Sequence, residues 1–499
     1  MIDFSILTYL IFIPLVGAFI IYLGSKFFKN IDTTIYIIVS GLEFLLGAIL
    51  WLKYDLSNSN FQFEEKVPWF EKWNIYYSLG IDSFSIFFIL LTILLIPICI
   101  FVGLKSIKEN KTLFISLFLI LESCVIGVFS AKDLILFYVF FEAFLIPMYL
   151  IIGIWGSSNK VYAAIKFFIY TLFGSILMLL AIAYIFIHEP TLDIAELPNH
   201  LKNYSLDFQK WLWLAFFISF AIKIPLWPFH TWLPDAHVEA PTSGSVILAG
   251  VLLKVGGYGL LRFNLPMFPE ASIYFSEYVM WLSIIAVIYT SIVALMQVNI
   301  KKMIAYSSVA HMGYVVAGIF AFNQIAIQGA IFQMISHGLV SSALFLCVGV
   351  LYEQAHTKEI ALYQGLAQKM PKFSLLFTVF VMASIGLPLT SGFVGEFLVL
   401  LGVFEVRNLY GILLALGMVL GASYMLWLYI RIIFGDFKKT LQILTDIHLC
   451  DKLILTFIAI LVIFIGIYPK VINDNTYKNS INLVDSIKSI KNNKLNIGL

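Results

Sequence analysis

Residues 211–263 read WLWLAFFISFAIKIPLWPFHTWLPDAHVEAPTSGSVILAGVLLKVGGYGLLRF. Two apolar runs, each long enough to cross a bilayer, carry a lysine near mid-depth: Lys223 in the first and Lys254 in the second. A charge at that depth costs several kcal/mol unless it is paired or hydrated inside a bundle. Pro225 and Pro228 follow Lys223, and a proline can neither donate to a helix ladder nor fit beneath the preceding turn. The first run is therefore expected to break. Gly256, Gly257 and Gly259 follow Lys254 and leave room for water or a close helix contact. In lipid every backbone polar group needs an internal partner, so these runs are helices.

The same reading extends to the whole chain. Of its 499 residues 61% are hydrophobic and only 12% charged, against roughly a quarter charged in soluble domains. That excludes a cytoplasmic enzyme and a disordered chain. The expected architecture is an all-α polytopic membrane protein with about 14 spans. Their limits are near 5–24, 33–52, 82–103, 112–131, 133–154, 161–187, 211–231, 244–264, 274–298, 303–321, 325–353, 373–404, 410–433 and 453–470. Spans of roughly 20 residues use about 280 in total, which leaves no room for a conventional soluble domain. The opening MIDFSILTYL has no basic residue before its apolar run and reads as a span that is retained. Segment 61–80 is aromatic-rich and suits the membrane interface. The polar stretch 471–499 reads as a frayed or partner-docked tail.

Basic residues orient the spans. Loops on one side carry Lys26, Lys29, Lys105, Lys108, Lys111, Lys160, Lys301, Lys302, Lys358, Lys369, Lys372, Lys438, Lys439 and Lys452, fourteen in all. The other side carries eight over longer loops, and the segment from Lys470 onward adds five more lysines there. The positive-inside rule puts the first set in the cytoplasm and both termini outside.

Net charge is +2, which gives nucleic-acid binding no support. Cys99, Cys124, Cys347 and Cys450 form no CxxC pair, so iron–sulfur, structural zinc and disulfide frameworks lack their spacing. No dinucleotide fingerprint occurs either.

The informative residues are ionisable and central in their spans: Glu43, Glu122, Glu142, Lys223, Lys254, His311, His337 and Glu396. Intramembrane ionisable groups of this kind mark ion or proton pathways. Glu142 precedes Pro147 in span 5 and is expected to act on Lys223 as a movable carboxylate, with Glu122 as an extra acid near it. The alternative is a Glu142–Lys223 staple between helices. A lysine proton is weakened by burial and strengthened by a carboxylate, so the two groups titrate as a pair. Histidine passes protons near neutral pH, which suits His311, beside Ser307 and Ser308, and His337, beside Gln333, Ser336, Ser341 and Ser342. Glu396 lies in SIGLPLTSGFVGEF, whose glycines and Pro388 predict a second broken span. Glu43 fits a packing or partner-facing role equally well. Lys166 lies nearer the inner end of span 6, while His230, His237, Asp235 and Glu239 fall at the inner end of span 7 and in the following loop, as an acidic access mouth or a capped polar turn.

Ala221-Ile222-Lys223-Ile224-Pro225-Leu226 echoes Ser384-Ile385-Gly386-Leu387-Pro388-Leu389. Five spans separate the copies, so they run in opposite directions, as in transporters built from inverted repeats.

Four stretches, LFYVFFEAFLIPMYLIIGIWG (136–156), AIKIPLWPFHTWLPDAHVEAPTSGSVILAGVLLKVGGYGLLR (221–262), KKMIAYSSVAHMGY (301–314) and SIGLPLTSGFVGEF (384–397), carry a resemblance. The chain resembles, over roughly 1–470, the antiporter-like membrane chains of respiratory complex I, the proton-pumping NADH–quinone oxidoreductase. The resemblance implies fourteen helices with two inverted five-helix repeats and breaks in helices 7 and 12. It divides the chain into spans 1–3 (1–111), a first repeat (112–264), a second inverted repeat (265–433), and a last span with polar tail (434–499). It assigns the relay to Glu142, Lys223, Lys254, His311, His337 and Glu396. Glutamate at this last place marks one branch of the family, where sister chains usually carry lysine. It further implies a bacterial inner-membrane location, sister antiporter-like chains and peripheral chains as partners, and FMN, iron–sulfur clusters and quinone in those partners, with no cofactor in this chain. A subunit of a multi-chain sodium/proton antiporter, or a non-pumping scaffold, are the competing readings.

Overall fold

A computed structural model describes residues 5–27, 31–437 and 444–496. Lys29, Lys438 and Lys439 of the basic tally lie outside the described residues. Among the described residues twelve helices are long and apolar enough to cross a membrane. They are α1 (Ile6–Gly24), α2 (Ile31–Lys53), α3 (Ile86–Ser106), α4 (Lys111–Ser130), α5 (Leu134–Trp155), α6 (Lys160–His188), α9 (Thr242–Met267), α10 (Pro269–Leu295), α11 (Ile300–Phe320), α12 (Gln324–Ala355), α15 (Asn408–Ile433) and α16 (Leu449–Ile467). Two further apolar segments are broken helices. One is α7 (Leu206–Lys223) followed by α8 (Trp232–Glu239), the other α13 (Pro371–Ile385) followed by α14 (Ser391–Val406).

Both breaks have the expected chemical cause. Pro225 and Pro228 cannot donate, so α7 ends at Lys223. The Leu226 amide turns back to the Ala221 carbonyl at 2.8 Å, and the Trp232 indole donates to the Ile222 carbonyl at 2.9 Å. Gly386 ends α13 in the left-handed region, at φ +81°. The Leu387 amide then reaches the Met382 carbonyl at 3.0 Å and the Gly386 amide the Ala383 carbonyl at 3.3 Å, a Schellman closure. Both breaks thus use a six-to-one backbone bond, placed two residues earlier in the second copy of the motif.

The central helices carry the core. Helices α9, α11 and α12 are almost wholly buried, whereas α1, α2, α6, α15 and α16 bury less than half of their apolar windows and present Phe19, Leu45, Leu180 and Val419 outward. Helix α9 contains two π-helical stretches, Leu248–Leu252 and Leu260–Asn264, on either side of Lys254.

Segment 61–80, read as aromatic-rich and interfacial with no secondary structure assigned, forms an antiparallel hairpin, β1 (Gln62–Phe70) and β2 (Ile75–Ile81), turned at Asn74 in the left-handed conformation. Its Glu64 and the loop Asp193 hold Lys132 at 2.5 and 3.5 Å. The structure departs from the expectation at the C-terminal end. The segment read as a polar tail is helix α17 (Lys470–Asn496). Ile472, Thr476, Leu483, Val484 and Ile487 are buried on one side, at the i, i+4, i+7 spacing of an amphipathic face. Asn479 donates to Asp82 at 3.0 Å, Lys478 to the Ser57 carbonyl at 2.5 Å, and Gln328 to the Asn473 carbonyl at 2.7 Å. Asp82 also pairs with Arg262 at 2.5 Å. A low overall hydropathy concealed this packed stripe.

Candidate functional site: a buried line of ionisable groups

Helix α9 places Lys254 at the centre of the bundle, fully buried. A π-helical turn frees backbone carbonyls from the ordinary ladder, and the Lys254 ammonium donates to the Ala249 carbonyl in the turn before it. The same Nζ lies 2.7 Å from His337 Nδ1 on α12. His337 Nε2 has no hydrogen-bond partner, and its ring centroid stands 5.6 Å from that of His311 on α11.

His311 Nδ1 lies 2.5 Å from Glu396 Oε1. Gln333 Nε2 donates to the same oxygen at 3.0 Å, and Ser384 Oγ lies 3.4 Å from His311 Nε2. A cavity of about 20 Å³ lies here, lined among others by Ser307, His311, Gln333, Ser336, His337 and Glu396. That is room for one water molecule with several polar partners. Gly395 permits the approach: a Cβ there would meet Gln333 Oε1 at 2.5 Å. Lysine, two histidines and a carboxylate thus run from the central helix to the second broken one.

Lys223 stands apart from this line. It ends α7, buried, with Nζ over the Phe144 ring at 4.3 Å and the Phe141 ring at 4.7 Å. These cation–π contacts are worth about 0.5–2 kcal/mol each. Phe141 and Phe144 lie three apart on α5 and so share the face turned to Lys223. Glu142, about 100° round the helix from Phe141, is half-buried between the exposed Val139 and Ile146. Lys223 Nζ and Glu142 Oε1 make no hydrogen bond, although the two groups act on each other electrostatically. The alternative, a Glu142–Lys223 staple, is therefore not present as a contact ion pair. Ser175 on α6 faces the Glu142 carboxylate.

Glu122 does not join the Glu142 cluster. It is fully buried on α4 and its electrostatic neighbour is Glu43 of α2. Helix α4 turns this side chain toward the α2–α3 side, and span order alone does not report that rotation.

At the end of the bundle opposite the hairpin, Lys166 pairs with Asp235 at 2.6 Å. Glu239 accepts from the Ser157 hydroxyl at 2.5 Å and the Asn159 amide at 3.0 Å. Lys358 donates to Ser157 Oγ at 2.8 Å and the Val238 carbonyl at 2.7 Å. Burial holds its ammonium below the usual lysine range, with Glu239 opposing. Lys301, buried, donates to the Ala240 carbonyl at 2.8 Å. His237 is fully buried and stacks on Phe345 at 4.4 Å with neither ring nitrogen bonded. His230 is buried beside Tyr289 and Tyr306. Among the described residues no group of three or more His, Cys, Asp or Glu side chains is placed to hold a metal.

Sequence reasoning named Gln333 only as a neighbour of His337 and missed Ser384 and the Ala249 carbonyl. Ser384 opens the repeated motif and was visible there. The freed carbonyl depends on π-helical register and left no residue-type signal.

Residues 131–421 match the family described as "NADH:quinone oxidoreductase/Mrp antiporter, TM". The chain is 49% identical over 473 residues to NADH-quinone oxidoreductase subunit M of Rickettsia prowazekii, covering 94% of this chain and 96% of that one. It is 49% identical over 476 residues to NADH-ubiquinone oxidoreductase chain 4 of Chondrus crispus, covering 95% and 96%. Its fold superposes on a chain of respiratory complex I from Thermus thermophilus with TM-score 0.87, at 28% identity over 96% of this chain and 99% of that one. A chain of the Mrp complex from a Dietzia species gives TM-score 0.86 at 20% identity, over 98% of each, which is a likeness of fold alone.

Proposed function

The chain belongs to the subunit M (chain 4) family of NADH:quinone oxidoreductase, within the wider group shared with Mrp antiporters, and from that premise we propose that Lys254, His337, His311 and Glu396 form its proton relay. As a membrane-arm subunit of the proton-translocating enzyme, the chain moves protons while NADH oxidation and quinone reduction occur in partner subunits, which carry the flavin, clusters and quinone. The carrying observation is the sequence of close approaches: Lys254 Nζ to His337 Nδ1 at 2.7 Å, His337 ring to His311 ring at 5.6 Å, and His311 Nδ1 to Glu396 Oε1 at 2.5 Å. A hydrogen bond reaches about 3 Å between heavy atoms, so the first and last steps are direct. The middle step takes one water in the cavity between the imidazoles.

Lys223 is the loading site. It holds a proton against aromatic faces rather than against a carboxylate in contact. Glu142, at the margin of the bundle, sets the potential at Lys223 and faces the side where a sister antiporter-like chain would pack. The cytoplasmic mouth is the Lys166, Asp235, Glu239 and Lys358 end, where the loop lysines concentrate, and both termini lie outside, in a bacterial inner membrane. With the two broken traverses counted, the chain crosses fourteen times. Residues 112–264 and 265–433 are inverted repeats flanked by spans 1–3 and by residues 434–499.

The test is the number of protons pumped per NADH oxidised by the assembled complex in proteoliposomes. Lys254→Met should lower that number while NADH oxidation by an artificial acceptor persists. An unchanged stoichiometry would remove Lys254 from the relay.

A further inference from the structure

The Glu43 and Glu122 carboxyl groups are both fully buried, and none of their four oxygens has a hydrogen-bond partner. They act on each other electrostatically across the α2–α4 side of the bundle. The groups around them carry no positive charge. Tyr36 of α2 donates its hydroxyl to the Pro97 carbonyl at 2.8 Å, and the buried Cys99 thiol of α3 interacts electrostatically with Glu122. Among the described residues no lysine, arginine or histidine pairs with either carboxyl. Helix α2 has a narrow buried stripe, Tyr36, Val39, Ser40, Glu43, Leu46, Gly47 and Leu50, while Leu42, Phe44 and Leu45 face outward. Ser40 precedes Glu43 by three residues on that stripe, and its hydroxyl is also buried without a partner.

We propose that Glu43 and Glu122 form a proton-holding carboxyl pair, edged by the Ser40 hydroxyl and separate from the Lys254–Glu396 line. Two like charges cannot both persist at one buried place, and a buried charge needs a compensating partner. Protons remove the charge altogether and turn acceptor-only carboxylates into donors. Each neutral carboxyl then carries no charge that needs a compensating partner. A sodium ion would leave one negative charge uncompensated among apolar helices. The ligand class is therefore the proton, held between α2 and α4, where the first repeat meets the spans that precede it.

The test uses the assembled complex in lipid nanodiscs, with infrared difference spectra of wild type against Glu43→Gln and Glu122→Gln. The wild type at neutral pH should show a protonated-carboxyl C=O absorption, shifted in heavy water, that each variant loses. Exchanging potassium for sodium should not alter it. Both variants should assemble, because a neutral amide reproduces the shape and charge of a neutral acid. An absorption unchanged in either variant would mean an ionised group and overturn the pair. So would an absorption that responds to sodium, and so would failure of both variants to assemble.

Discussion

Glu396 Oε1 accepts from two side chains at once, with His311 Nδ1 at 2.5 Å and Gln333 Nε2 at 3.0 Å. An amide in its place keeps the volume but offers no negative charge to the imidazole. A hydrogen bond to a charged group contributes about 1.5–3 kcal/mol, and tenfold in an equilibrium is about 1.4 kcal/mol. Glu396→Gln should therefore lower coupled proton pumping by roughly tenfold or more. NADH oxidation by an artificial acceptor should be unaffected. Proton-to-electron stoichiometry in proteoliposomes checks this, and a variant that pumps normally would take Glu396 off the route.

Lys254 is held from both sides, by the Ala249 carbonyl on its own helix and by His337 across the interface. Lys254→Arg keeps a positive charge but introduces a group that stays protonated throughout. That variant should assemble and fail to pump. His337→Gln retains a hydrogen-bonding group without an exchangeable ring proton, and should show the same split. Measuring assembly on native gels beside pumping separates loss of transfer from loss of structure.

The apolar helices, both broken helices and most of the ionisable set were legible because lipid constrains them: apolar length marks a span, proline and glycine mark a break, and a charge at mid-depth faces inward, with Glu142 at the margin the exception. What stayed illegible was rotation and register. Glu122 and Glu142 both read as acids of one neighbourhood, yet α4 turns Glu122 toward Glu43, and a helix's rotation about its axis is set by packing. The stretch after Lys470 was misread for a related reason. Its buried stripe of Ile472, Thr476, Leu483 and Ile487 is diluted by asparagines and lysines, so composition hid the periodicity.

Gly256 sets how closely α9 approaches α7. A Cβ there would lie 2.7 Å from both the Ile224 nitrogen and the Phe220 oxygen, which are backbone atoms that cannot rotate away. Overpacking typically costs about 1–3 kcal/mol. Gly256→Ala should therefore push α7 from α9, lower the thermal stability of the assembled complex, and reduce pumping through the displaced Lys223. Gly41→Ala, where nothing lies within 4 Å of the added carbon, is the matched control and should be silent in thermal inactivation.

Lys358 ties the segment after α12 to the α8 end through Ser157 and the Val238 carbonyl. Its ammonium sits below the ordinary lysine range because it is buried. The folded chain then holds this proton less tightly than the unfolded one. The contribution of Lys358 to stability rises with pH, beginning at its lowered value and ending near the ordinary lysine value of about 10.4. Thermal inactivation of the complex followed across alkaline pH should show this rise. Lys358→Met should remove it, at the cost of the two hydrogen bonds, and an unchanged pH slope would exclude Lys358 as its source.

Lys223 rests on Phe141 and Phe144, with Glu142 turned aside on the same helix, and this geometry makes the sharpest demand on function. If the pair were a staple, neutralising either partner would chiefly destabilise the bundle. If Glu142 instead biases a proton on Lys223 from a distance, Glu142→Gln should leave assembly intact and weaken proton loading. Lys223→Ala should abolish loading, and Lys223→Arg should also fail because its charge cannot be released. Phe144→Leu supplies the discriminating arm. It removes an aromatic face from Lys223 without touching Glu142 or any hydrogen bond. The cation–π view expects an intermediate loss of pumping, since about 0.5–2 kcal/mol is withdrawn from the protonated lysine. A staple would be indifferent to that change. Proton stoichiometry of the four variants, with peripheral NADH oxidation as internal reference, decides between them: normal pumping in Glu142→Gln and Lys223→Ala would leave these residues as structure alone.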